Sequence, residues 1–512
     1  MKLVRGTLKA ERMAQVAGAQ ALVEGEISPP AMKQDIENIL SVQANVLISN
    51  SEVAESKIML EGSVSFFVVY MDSEGIIDGF ESATSFRHSI DAESAESGMY
   101  AEVSANVVQS DYTQMDKKRI NAKAIINLNA TLLEKTELNA VENVFDVNDV
   151  QMLKETISVP YVSARGKSLF NIKEDVKLYQ GMPLVSHIIG QNACGSIKNA
   201  FIDTDKVAVE GEVKVNIFYM GVDAQTELQQ AQYTIPFEHI LALEAQAGDG
   251  KAIAKVDVNE TYVQLEEQEG EQYFKVEMML SVFADIFKEQ SADVIKDVYS
   301  PTIGLSPISE EINTRALLTK LSAKSSIREM VALQSGMPMI GRTLMALASP
   351  NILSTYAADD KVFVEGVMDT TIVYLTREDI VKSFKTEVPF MLDFDAGGAN
   401  DGMHIESDIL IENVFASGSG DEIELKYNLD GQIRVFYLNS QNIVNDIEIT
   451  EKEDVAGGIT IYFADKDELV WDVLKKFNTT IENISKYNGE MSERDKLAEG
   501  QKILIFTKKI QA

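Results

Sequence analysis

The chain has 512 residues, 45% hydrophobic and 25% charged, with 46 Lys+Arg against 80 Asp+Glu for a net charge of −34. That length exceeds one ordinary core and predicts three or four domains, while the composition is that of a globular chain and excludes a disordered one. The charge excludes nucleic acid and anionic membranes as partners, because both demand basic surface.

The N-terminus, "MKLVRGTLKAERMAQ", carries charges where a secretory signal needs an apolar run, which argues against export. No segment approaches the roughly 20 apolar residues of a membrane span. The single cysteine, Cys194, excludes an intramolecular disulfide and fits a reducing cytosol.

The first strong signal is "KIMLEGSVSFFVVY" at 57–70, which returns as "KVAVEGEVKVNIFY" at 206–219 and "KVFVEGVMDTTIVY" at 361–374. The motif glutamates, Glu61, Glu210 and Glu365, are spaced 149 and 155 residues apart. Solenoid repeats have periods of roughly 20–50 residues, so this spacing predicts tandem copies of a whole domain. Alternation is strict: Ile58, Leu60, Gly62, Val64, Phe66, Val68 and Tyr70 share one face, as their counterparts do from Val207 to Tyr219. Period two over that length predicts a long strand with one buried face. The glycine on that face predicts a bulge or a close packing partner.

Flanking features keep the same phase. "GMP" precedes Glu210 and Glu365 by 27 residues at Pro183 and Pro338, and the first copy has "SPP" ending at Pro30. A phenylalanine strand follows each motif: "TSFRHSID", "TIPFEHIL" and "EVPFMLDF". A second long alternating strand closes each copy, through Ala122–Leu132, Phe274–Ile286 and Ile423–Tyr437. The pattern predicts a mainly β fold of three antiparallel, sandwich-like repeats. Short helices are expected between copies, in "ARGKSLFNIKEDVKLYQG" and "RALLTKLSAKSSIREMVALQSG".

Residues 457–512 carry nine basic and nine acidic groups, so residues 1–456 hold the whole net charge, and that step marks a boundary. In this tail "GITIYFA" reads as a strand and "ELVWDVLKKF" as an amphipathic helix with Val470, Trp471, Leu474 and Phe477 on helical spacing. "NTTIENISKYNG" starts with cap-type residues and ends on Asn-Gly as a second helix should, and "EGQKILIF" closes with a strand. The predicted division is 1–149, 150–304 and 305–455 for the repeats and 456–512 for a small βααβ domain.

Chemistry-bearing motifs are missing. The chain has no Walker loop, G-x-S-x-G or H-E-x-x-H, and its four histidines are scattered. His187 and Cys194 have no metal-site spacing. "DFDAGGANDG" (393–402) places Asp393, Asp395, Gly398 and Asp401 like a calcium loop, but His404 stands where a bidentate glutamate is required. It reads as a hairpin loop. No enzyme activity, cofactor or metal is expected.

The tail resembles a LysM domain, on Trp471 at the opening of the first helix, "TTIENISKYN" and "LAEGQKILI". The repeats, with "DVYSP" at 297–301, resemble the SPOCS domain of clostridial sporulation proteins. Tandem SPOCS domains ending in one LysM resemble the SipL family of spore coat morphogenetic proteins. That resemblance implies a scaffold in the mother-cell cytoplasm at the forespore surface, bound to stage IV sporulation protein A and other coat proteins. It places partner binding at Ile459 and Trp471, although both also suit a small-domain core, and the apolar Leu469 is a third candidate where the family's loop has threonine. The usual LysM Gly-Asp-Thr loop is Asp467-Glu468-Leu469 here, which favours a protein partner over a glycan. Peptidoglycan or glycan binding in the LysM groove is the alternative.

Overall fold

The computed structural model describes residues 1–222, 228–246, 248–452 and 457–507. One six-strand order occurs three times. The first copy comprises β1 (Lys2–Ile27), β2 (Ile36–Ala54), β3 (Lys57–Asp72), β4 (Ile77–Asp91), β5 (Tyr100–Gln114) and β6 (Ile120–Phe145). The second comprises β7 (Gln151–Lys177), β8 (Val185–Asp203), β9 (Lys206–Gly221), β10 (Leu228–Ala242), β11 (Lys251–Gln268) and β12 (Glu271–Tyr299). The third comprises β13 (Gly304–Ala332), β14 (Ile340–Ala358), β15 (Lys361–Thr376), β16 (Val381–Asp395), β17 (His404–Ser419) and β18 (Glu422–Thr450).

Each copy makes two three-stranded antiparallel sheets, ordered β1-β6-β5 and β2-β3-β4 in the first. The motif strand is the centre of one sheet and the second long strand the centre of the other. Their alternating apolar faces close on one core per copy, with Phe66, Ile126 and Leu128 in the first, Val213, Phe274 and Met278 in the second, and Val364, Leu425 and Tyr427 in the third. Burying one face of each strand drives this two-layer packing.

Structure explains the thrice-written motif. Gly62, Gly211 and Gly366 stand directly opposite Phe86, Phe237 and Phe390 of the phenylalanine strands. On the other flank the partner strand bulges at Ile48/Asn50, Ile197/Asn199 and Ile352/Ser354. A Cβ on Gly366 would lie 2.3 Å from the Asn351 carbonyl oxygen and 2.7 Å from the Phe390 ring. Gly366→Ala is therefore expected to cost about 1–3 kcal/mol by overpacking, read as a lowered denaturant midpoint at unchanged slope.

The closing tyrosines have a partner as well. Tyr70, Tyr219 and Tyr374 donate to the carbonyls of Gln34 (3.3 Å), Pro183 (3.2 Å) and Pro338 (3.2 Å), each 36 residues upstream. Gln34, not Pro30, is thus the first copy's counterpart of the two Met-Pro prolines.

A second expectation is overturned: both inter-repeat segments expected to be helical lie mostly in strands β7 and β13. Their period-two sets, Phe170, Ile172 and Val176 in β7 and Leu321, Ala323, Ile327 and Val331 in β13, pack on the cores. Pairing along β12 and β18 overrides local helix preference. Among the described residues the two α-helices both lie in the tail.

The repeats close a ring. Strand β4 meets β8, β10 meets β14, and β16 meets β2. Val69, Phe218 and Val373, which occupy equivalent places on the outer motif-strand faces, share one apolar hub. The far ends of the long strands, paired β1–β6, β7–β12 and β13–β18, run beyond the sheets as two-stranded arms. These arms share further hubs, in which Val141, Ile295 and Val444 are equivalent and Val144, Val298 and Ile447 likewise. The result has pseudo-threefold symmetry.

The tail is β19 (Gly458–Phe463), α1 (Val470–Lys476), α2 (Ile481–Asn488) and β20 (Lys502–Thr507), with β19 and β20 antiparallel. Thr480 caps α2 by accepting from Asn483 N–H, and Gly489 leaves it at φ +88°.

Candidate partner-binding surfaces

Two places gather residues suited to recognition: the tail and the junction of the three repeats. In the tail sheet, Ile503 and Ile505 point inward and are buried. The outward face is formed by Ile459, Ile461 and Phe463, which lie opposite Phe506, Leu504 and Lys502 in register. Ile459, Ile461 and Phe463 are 68%, 51% and 62% exposed. The three sites expected in the tail therefore separate. Ile459 lies on this open apolar face. Leu469 is half-buried against the tail core as the N-cap of α1. Trp471 is 2% exposed and faces the second repeat.

The arm of that repeat receives Trp471. Its Nε1–H donates to Asp297 Oδ2 at 2.8 Å, and its ring meets Tyr299 edge-on with centroids 5.0 Å apart. Lys475 Nζ reaches both Asp297 oxygens at 2.8 and 2.7 Å, and Tyr299 donates to the Thr479 carbonyl at 2.6 Å. Leu153 and Tyr299 join the tail's own core residues in one cluster.

The two loops beside α1 and α2 pair with each other. Asp467 N–H donates to Leu497 O (3.1 Å), Leu497 N–H to Glu468 O (2.8 Å) and Val470 N–H to Asp495 O (3.0 Å). Glu468 also accepts from Tyr462 Oη and the Asp465 N–H. These backbone groups are already satisfied within the chain.

At the junction, charges from different repeats meet out of water. Arg165 of the second repeat binds Glu11 of the first at 2.6 Å, with side chains 7% and 3% exposed, and stacks on Tyr100 at 4.2 Å. Arg315 of the third bridges Glu102 and Glu406, 2.5 Å from each, and lies 3.5 Å over the Phe436 ring. Arg434 adds a second contact to Glu406 at 2.5 Å. Burial, then the Glu406 charge, pushes the Glu102 carboxyl up to about 7 despite Arg315 and Arg434. Burial works the same way on Glu406, but His404, Arg434 and Arg315 outweigh it and hold that carboxyl low. Beside this network a cavity of about 700 Å³ is lined by residues of all three repeats, including Asn45, Glu102, Lys255, His404 and Arg434.

The remaining candidates have structural partners. Glu61 pairs with Arg87 at 2.8 Å, Glu210 accepts from Asn199 at 2.8 Å, and Glu365 accepts from Tyr356 at 3.0 Å. Asp393 and Asp395 both pair with Lys361, so they do not converge as a calcium loop. His187 contacts the Ile77 carbonyl oxygen at 3.1 Å. Burial pushes the Cys194 thiol up to about 11, away from reactivity. Among the described residues no group of three or more His, Cys, Asp or Glu is placed to hold a metal, and no helix is long and apolar enough to cross a membrane.

Sequence reading missed Ile461, Phe463 and the three arginines. Alternation in "GITIYF" marked a strand without saying which face a helix pair would cover. Arg434 faces Glu406 across one sheet, whereas Arg165 and Arg315 gain Glu11 and Glu102 only when distant repeats meet.

The family model described as "SipL, SPOCS domain" matches three segments, 35–115, 185–266 and 339–417. Each match spans the second through fifth strands of one copy, with the motif strand inside it. No curated protein and no solved structure matches the chain.

Proposed function

We propose that the chain is a non-enzymatic scaffold of the spore coat, working in the mother-cell cytoplasm at the forespore surface. Its three SPOCS matches support a sporulation role. In this reading residues 1–149, 150–304 and 305–455 are the repeats, and 456–512 is a LysM domain that binds stage IV sporulation protein A. The repeats offer further surfaces to other coat proteins, and several weak contacts on one chain add up to firm assembly.

The observation that carries the protein-binding reading is the open face of Ile459, Ile461 and Phe463. Apolar side chains grouped on one sheet face, with two strand edges beside them, suit a protein surface. Leu469 supports α1 from within and contributes through the fold of the tail. The paired backbone of loops 467–470 and 495–497 leaves less free hydrogen-bonding capacity for a sugar.

Co-purification of the full chain with stage IV sporulation protein A tests this, beside retention on purified peptidoglycan. Ile461→Asp should weaken the protein complex about tenfold, since a desolvated apolar contact contributes about 1–2 kcal/mol. Unchanged co-purification of that variant, with tight peptidoglycan retention by the wild type, would favour the glycan-binding alternative instead.

A further inference from the structure

The structure assigns Trp471 to a releasable dock: it holds the tail on the arm of the second repeat and thereby sets where the outer tail face points. The inference stands apart from the identity of any partner. Trp471 is a positioning residue here, with its indole turned to Asp297 and Tyr299 and away from the open Ile459 face.

Three observations support it. First, the tail has its own core, with Val470, Val473, Leu474, Ile484, Ile503 and Ile505 all buried, so its fold does not rest on the arm alone. Second, the polar contacts between arm and tail are few and specific: Asp297 to Trp471 and Lys475, Tyr299 to Thr479, Gln151 Oε1 to the Ile481 N–H at 3.3 Å, and Arg494 to the Lys154 carbonyl. The Lys475–Asp297 pair is partly solvated, at 46% and 22% side-chain exposure, so water can replace it.

Third, the dock is particular to the second repeat. In register, Asn143, Asp297 and Asp446 are equivalent, each beside a bulge and each accepting from the next backbone N–H. The other two positions serve differently. Asp446 pairs with Arg5 at 2.7 Å, and Phe145 stands 49% exposed where the second repeat has Tyr299. Leu153 has Val4 as its counterpart, 36% exposed, so an arm forms without a tail covering it. Asp297 and Tyr299 of "DVYSP" are thus the sequence trace of a landing site.

The chain contains one tryptophan, which makes the dock directly readable. Two full-length variants leave the tail sequence intact: Asp297→Ala with Tyr299→Phe, and Leu153→Lys. Docked, the indole is 2% exposed. Release should shift its emission to the red and raise acrylamide quenching about twofold or more, with amide exchange protection of both tail helices retained. Unchanged emission and quenching in both variants would overturn the dock. A red shift with loss of helix protection would overturn it too, because Trp471 would then be part of the tail's fold. An Ile461→Asp chain should keep wild-type emission, which separates the dock from the partner surface.

Discussion

Replacing Arg315 by Ala is expected to destabilise the folded chain by about 3–5 kcal/mol, the range for stranding buried charges. Its guanidinium links Glu102 of the first repeat to Glu406 of the third more closely than Arg434 does, and its side chain is 3% exposed. Without it Arg434 alone must offset two carboxylates in a poorly solvated site, and the Phe436 stacking contact is lost. Arg315→Lys should fall between, because one ammonium cannot serve both carboxylates with a planar fork.

The pH dependence has a definite sign. Glu102 has a folded value raised to about 7, so its contribution to stability is full below the ordinary carboxylate range and is lost as pH rises through 7. Glu406 is held low, so its contribution is present above the ordinary range and is lost on acidification. Loss of Arg315 should therefore do more harm at pH 8 than at pH 6. Glu102→Gln should remove the decline that accompanies Glu102 ionisation in the wild type. Denaturant titrations at both pH values measure this, and a pH-independent, wild-type midpoint for Arg315→Ala would refute the account.

The second large effect is expected in the repeat cores. Leu425→Asp places a carboxylate where the wild-type side chain is 0% exposed, and Met278→Asp and Ala124→Asp do so at 2% and 1%. Each should cost several kcal/mol, against a total of about 5–15 kcal/mol for a domain. The ring adds a consequence. Because the hubs draw side chains from all three copies, damage to one core should lower the unfolding midpoint of its neighbours. Calorimetry should show the neighbours melting earlier, while independent repeats would give one lowered transition beside two unaltered ones. For the same reason, pieces cut near 150 and 305 should aggregate more readily than the full chain. Each cut exposes hub residues such as Val141 and Ile295.

Alternation by itself determined the strands of the repeats. Ile58 to Tyr70, and Ile423 to Val435, show their buried face in the residue order, since side chains of a strand must take opposite sides in turn. Recurrence of Lys, Glu-Gly and Tyr set the number of copies, and the motif glycine announced a close neighbour before Phe86, Phe237 and Phe390 could be placed against it. The tail's strand and helix order was legible for the same reason, from its caps and helical spacing.

Tertiary structure decided the rest. Segments 164–181 and 315–336 have enough local helix preference to mislead, and only pairing along β12 and β18 makes them strands. The roles of Ile459 and Trp471 could not be told apart by spacing, because both are apolar residues on regular elements. One faces water and the other the arm of the second repeat, a difference made by contacts some 170 residues apart in sequence. Arg165, Arg315 and Arg434 look like surface charges along the chain. Arg165 and Arg315 become bridges between repeats because three similar domains close a ring, and closure places Glu11 and Glu102 beside them, which no local pattern relates.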